Sequence, residues 1–144
     1  MQEDLVKAFY HDILNRVLAI ERRRKQIAEQ ILLVRTTREK LPLIRDFLNC
    51  NLDKNRLLEQ AAIAAAQNMV DEVLEHIGRL YGGVSIDAVI DTIREEIERN
   101  QSLLNPVVKE IKYPRTTNFL ERRMIKEIEK AVMKQAREYA KIEF

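Results

Sequence analysis

Apolar residues return every seven positions over the first forty residues. Val6, Ile13, Ile20, Ile27, Val34 and Leu41 form one column, and five of the six are β-branched. Offset by four stand Tyr10, Val17, Arg24, Ile31 and Arg38, a column in which apolar residues alternate with arginine. A seven-residue repeat of this kind is helical, because only a period near 3.5 keeps both columns on one face. Phe9, Leu14, Leu18, Leu32 and Leu33 widen the stripe beyond a two-stranded seam. The spacing therefore predicts a helix from the first few residues to about Lys40, either lying on a bundle or protruding as an arm. Straight, it would be about 57 Å long at about 1.5 Å per residue. A compact domain of this size is only roughly 37 Å across. Either a third of the helix overhangs, or it breaks, and the charged run Glu21-Arg22-Arg23-Arg24-Lys25 is the least core-like place along it.

The remaining 100 or so residues carry the same helical signature with different punctuation. Pro42 is expected to stop the first helix and to open a short one to Leu48. Asn49-Cys50-Asn51-Leu52-Asp53 reads as a turn, with Cys50 a small turn residue. A helix to Leu80 follows, striped by Leu58, Ala62, Ala65, Met69, Val73, Ile77 and Leu80 and closed by Gly82-Gly83. Ser85 caps the next helix, whose apolar face is Ile86, Val89, Ile90, Ile93, Ile97 and Leu104. Asn105-Pro106 opens a short helix, Tyr113 to Thr117 is a loop, and Asn118 with Glu121 caps a last helix burying Ile125, Ile128, Val132, Ala136 and Tyr139.

The expected fold is all-α: an irregular antiparallel bundle of four long and two short helices, with residues 1–41 as a long N-terminal helix or arm and 42–144 as the bundle. Three Gly and three Pro leave too few turns for a sandwich or barrel. One Cys excludes a disulfide framework. The longest uncharged run, Gln60 to Val70, is too short to cross a bilayer, and Met-Gln-Glu-Asp is not a signal-peptide start. A soluble, cytoplasmic protein is expected.

The net charge of +2 conceals a segregation. Residues 1–50 carry ten basic and seven acidic side chains, residues 51–104 five and ten, and residues 105–144 ten and six. Two basic runs, Arg22-Arg23-Arg24-Lys25 and Arg115 with Arg122, Arg123 and Lys126, are candidate partner-binding patches. Asp87, Asp91, Glu95, Glu96 and Glu98 form a candidate acidic face. Contact with nucleic acid would be through its backbone only. The aromatics Phe9, Tyr10, Phe47, Tyr81, Phe119 and Tyr139 mostly fall on core stripes, not among the cations.

Catalytic motifs are missing. There is no phosphate-binding loop, dinucleotide turn or nucleophile elbow. His76 with Glu72 and Glu75 offers a weak metal contact, but a di-iron bundle needs Glu three residues before the histidine, where Val73 stands. No catalytic residue, metal or cofactor is expected, and the chain reads as a non-enzyme.

The layout from about residue 53 to 140 resembles the small helical proteins of large spindle-shaped archaeal viruses. The shared features are a helix like Asn55 to Tyr81, a Gly-containing turn at Tyr81-Gly82-Gly83, a segment like Val84 to Ile97, the Asn105-Pro106 break, a linker at Tyr113-Pro114 and an Arg/Glu-rich last helix from Glu121 to Ala140. That resemblance implies one of two roles: a coat protein of the virion, or an inhibitor occupying the DNA-binding channel of the host RNA polymerase. The long charged start, Gln2 to Lys40, departs from the coat type and favours the inhibitor. A protein partner, possible self-association and no membrane contact complete the expectation.

Overall fold

A computed structural model describes residues 2–114 and 118–144. It is all-helical, with five helices and no strand among the described residues: α1 Gln2–Leu33, α2 Thr37–Gln67, α3 Asp71–Leu80, α4 Ile86–Lys112 and α5 Phe119–Ala140. Five replace the six expected because the chain ignores both of its internal prolines and breaks where no Gly or Pro signals a break.

The first helix ends at Leu33, not near Lys40. Thr36 then caps α2: its Oγ1 accepts from the Glu39 N–H at 3.2 Å and donates to the Glu39 carboxylate at 2.8 Å. This start lies a turn before Pro42, so Pro42 is inside a helix already begun. Proline removes one intrahelical bond to the carbonyl four residues back. For Pro42 and Pro106 those carbonyls belong to Arg38 and Ser102, both exposed residues. Burial of Leu41 and Ile44 on either side of Pro42, and of Leu104 and Val107 around Pro106, holds each helix through its proline. The expected division between residues 41 and 42 falls inside α2.

The turn expected at 49–53 is mid-helix, with Cys50, Asn51 and Leu52 buried. The helix expected to run on to Leu80 breaks at Asn68–Val70. There Met69 sits at φ 54°, the Val70 N–H bonds to the Ala65 carbonyl at 3.1 Å and the Met69 N–H to the Ala66 carbonyl at 3.4 Å. This is a Schellman termination with methionine where glycine usually stands. Helix α3 stops the same way: Gly82 at φ 86° follows Tyr81, and the Gly83 N–H bonds to the Gly78 carbonyl at 2.7 Å. The caps expected at Ser85 and Asn118 are both present, accepting from Ala88 at 3.4 Å and Glu121 at 2.9 Å.

Three helices of 27–32 residues, α1, α2 and α4, run the length of the molecule. They enclose two apolar cores, one above the other. In the lower core Val6, Tyr10 and Ile13 of α1 meet Leu58 to Ala65 of α2, Val73 and Ile77 of α3, and Val89 and Ile93 of α4. In the upper core Ile27 to Ile31 of α1 meet Leu41 to Leu52 of α2, Leu104 and Val107 of α4, and Ile125 to Ala136 of α5. The first half of α1 thus faces the second half of α2, which makes the pair antiparallel. Helix α3 completes the lower storey and α5 the upper. Helix α1 lies against α2 and α5, burying residues from Val6 to Ile31.

Candidate interaction surfaces

Between the two cores lies a polar layer that accounts for one of the sequence-predicted basic patches. Arg24 is 5 % exposed, and its guanidinium lies between two rings, 4.3 Å from the centroid of Phe47 and 4.1 Å from that of Tyr139. It donates to Asn51 Oδ1 at 3.0 Å, Tyr139 Oη at 2.6 Å and Gln135 Oε1 at 3.2 Å. Asn51 Nδ2 in turn donates to Glu96 at 3.2 Å, which also accepts from buried Asn100 at 3.3 Å. Tyr139 donates its hydroxyl proton to Glu21 at 2.8 Å, and Lys54 pairs with Glu21 at 3.3 Å. Burial lowers the Arg24 pKa from its ordinary value, and nearby Tyr139 and Glu21 oppose that shift. Burial likewise raises the Tyr139 hydroxyl.

Arg24 is therefore not part of an outward basic patch. It belongs to the inward heptad column, and Asn51, which read as a turn residue, is one of its partners. Arg22 and Arg23 are exposed, whereas Lys25 is half-buried and donates to the Ile142 carbonyl. The first run thus presents two exposed cations, Arg22 and Arg23, not four.

The acidic face is built by α4. Asp87, Asp91, Glu95 and Glu98 are all exposed, at spacings of four, four and three. At about 100° per residue they share an arc of about 80°, directly opposite buried Val89, Ile93 and Asn100. Among the described residues no ion pair engages any of the four. Glu96 points elsewhere: it is half-buried, pairs with Arg99 and joins the polar layer.

The second basic run opens α5. Arg122, Arg123 and Lys126 are exposed, and Arg115 lies outside the described residues. The stripe extends further than the sequence reading took it. Arg123, Lys126, Lys130, Lys134, Arg137 and Lys141 follow at spacings of three, four, four, three and four, and all six are exposed. The spacing alone marks one helix face.

Other chemistry expected of the sequence takes a structural form. His76 Nδ1 is hydrogen-bonded to the hydroxyl of Tyr10, joining α3 to α1. Glu72 pairs with Lys7 at 2.8 Å. Among the described residues no three His, Cys, Asp or Glu side chains are grouped to hold a metal ion. Cys50 is buried in α2 within the upper core, and burial pushes its thiol up. Of the aromatics placed on core stripes, Tyr10 and Phe47 are buried, but Phe119 is 76 % exposed. No helix among the described residues is long and apolar enough to cross a membrane. No protein-family model, curated protein or solved structure matches this chain.

Proposed function

We propose that the protein is a non-enzymatic regulator that binds a macromolecular partner through the outer face of α4. The observation that carries this reading is the row of four exposed carboxylates, Asp87, Asp91, Glu95 and Glu98, without ion-pair partners among the described residues. Other charges of α4 do pair, Arg94 with Glu59 at 3.0 Å and Lys109 with Glu121 at 2.9 Å. A row of charge about 16 Å long at about 1.5 Å per residue complements a groove that otherwise holds a polyanion. The resemblance to proteins of spindle-shaped archaeal viruses names such a groove, the DNA channel of the host RNA polymerase. On this reading the protein acts in the host cytoplasm and blocks transcription by occupying that channel.

The test is promoter-dependent transcription by archaeal RNA polymerase with increasing protein. Full inhibition is expected, together with co-purification of polymerase. The variant Asp87→Asn, Asp91→Asn, Glu95→Gln, Glu98→Gln should need at least tenfold more protein while melting like the wild type. Undiminished transcription at saturating protein ends the proposal. A second reading, a self-assembling coat protein, draws support from the exposed apolar side chains Phe119, Leu120 and Met124 at the start of α5. It requires polymers in electron micrographs, and a strict monomer at high concentration removes it.

A further inference from the structure

The outer face of α5 is a second charged surface, and nothing proposed for α4 uses it. Arg123, Lys126, Lys130, Lys134, Arg137 and Lys141 are exposed. At about 100° per residue they fall within an arc of about 80°. That arc lies opposite Ile125, Ile128, Val132 and Ala136, which are buried in the upper core. The six charges therefore stand on a fixed ridge about 27 Å long at about 1.5 Å per residue. Neighbouring cations are about 4.5–6 Å apart along the axis by the same rise. Glu127 and Glu138 flank the ridge, and only Lys130 has a carboxylate partner on it, Glu127 at 3.6 Å. Among the described residues the other five form no ion pair.

We propose that this α5 ridge binds the phosphate backbone of double-stranded DNA, without regard to sequence. Magnitude separates this occupant from a second copy of the chain docked through its α4 carboxylates. Exposed ion pairs are screened at physiological salt and contribute at most about fivefold each to affinity. The α4 face supplies four carboxylates at most, too few to hold two copies together at micromolar concentration. Duplex DNA carries a charge every ~1.7 Å with condensed counterions, and their release drives binding at ~10⁻⁴–10⁻⁶ M without any base contact. A single-stranded target is disfavoured because it needs bases stacked on aromatics along the track. Phe119 alone lies in the arc, whereas Tyr139 turns inward to Arg24.

The experiment is fluorescence anisotropy of the full chain with a labelled mixed-sequence 20-base-pair duplex, titrated between 50 and 200 mM salt. With five to six phosphates neutralised, log K should fall with log salt at a slope of about −5, or about 10³-fold over that range. An unlabelled duplex of different sequence should compete equally. The variant Arg123→Gln, Lys130→Gln, Lys134→Gln, Arg137→Gln should reduce the slope to about −2 and bind at least tenfold more weakly at 50 mM salt. Lys134→Gln alone, which leaves the buried face untouched, should lower the slope by about 0.9. Arg22→Gln with Arg23→Gln should leave it unchanged.

An unaltered affinity in the α5 variants overturns the proposal, as does a slope shallower than −2 in the wild type. So does salt-sensitive self-association of the protein, lost in the same variant, without DNA binding. Binding to phosphatidylserine vesicles with none to the duplex overturns it in favour of a membrane surface. The outcome is independent of transcription inhibition, which is read with the α4 variant.

Discussion

Replacing Arg24 with alanine should be among the most damaging single changes in this protein, and its cost follows from the geometry. The guanidinium makes three hydrogen bonds, to Asn51, Tyr139 and Gln135. Bonds to a charged group contribute about 1.5–3 kcal/mol each, and a desolvated cation between two rings adds about 2 kcal/mol. Burying the charge takes back several kcal/mol. The net loss for Arg24→Ala is about 4 kcal/mol, in the range of about 3–5 kcal/mol for breaking a buried ionic network. For a chain of this length that lowers Tm by about 8–16 °C.

Arg24→Met separates charge from packing. Methionine keeps a long stem between Phe47 and Tyr139 and removes the burial cost, but leaves Asn51 Oδ1 without its donor. The expected loss is only about 1–2 kcal/mol. Arg22→Ala and Arg23→Ala, on exposed neighbours, should stay within about 0.5 kcal/mol of the wild type. Urea unfolding followed by circular dichroism at 222 nm measures all four. If Arg24→Ala lies within 1 kcal/mol of the wild type, or below Arg22→Ala in effect, the buried layer is not holding the two storeys together.

Three further outcomes are expected. Met69→Gly should stabilise by about 0.5–1 kcal/mol in the same unfolding assay, because the left-handed backbone at φ 54° is strained for methionine and free for glycine; a loss of stability would mean the methionine side chain contributes more than its strain costs. Tyr10 is buried against His76, and burial, with a smaller contribution from Tyr81, pushes its hydroxyl up to about 12 from an ordinary 10. The folded chain thus keeps this proton at a pH where the unfolded chain has lost it, so stability is intact below about pH 10 and declines as pH rises from 10 to 12. Tyr10→Phe should make that decline shallower in alkaline urea titrations, and an unchanged slope would contradict the assignment. Finally, Cys50 should react with a thiol-specific disulfide reagent only as fast as the protein opens, being buried with its thiol raised; native reaction at the rate seen in urea would contradict its burial.

The faces of the helices were legible in the sequence, and several of their ends were not. Ile125, Ile128, Val132 and Ala136 are buried as their spacing predicts, and so are Val89 and Ile93. Ser85, Asn118 and Gly82 act as their chemistry dictates. Pro42 and Pro106 misled because the loss of one hydrogen bond on an exposed face is outweighed by the apolar residues buried around it. The break at Met69 had no residue signal, since the backbone there adopts a conformation that methionine rarely takes. Arg24 was readable two ways, as a heptad position or as part of a charge run. Only tertiary structure brings Phe47, Asn51 and Tyr139 to it and decides for the interior. Of the surfaces, the α4 carboxylates were visible as residues, but their lack of ion-pair partners depends on what neighbouring helices offer. The full α5 ridge was visible as spacing.

The sandwich around Arg24 also sets an order of events. Its two rings come from very different distances along the chain: Phe47 stands on the next helix, whereas Tyr139 is 115 residues away. The Tyr139 hydroxyl reaches back further still, to Glu21 across 118 residues. Loop-closure entropy makes such contacts late relative to those between consecutive helices. The lower storey is assembled from consecutive elements and needs nothing from α5, whereas the upper core stays open on one side until α5 arrives. Pulse-labelled hydrogen exchange should show α5 amides gaining protection after those of α2 and α4, and the reverse order would contradict it. A folding intermediate of this chain would display its apolar upper half with half of its arginine clamp already in place.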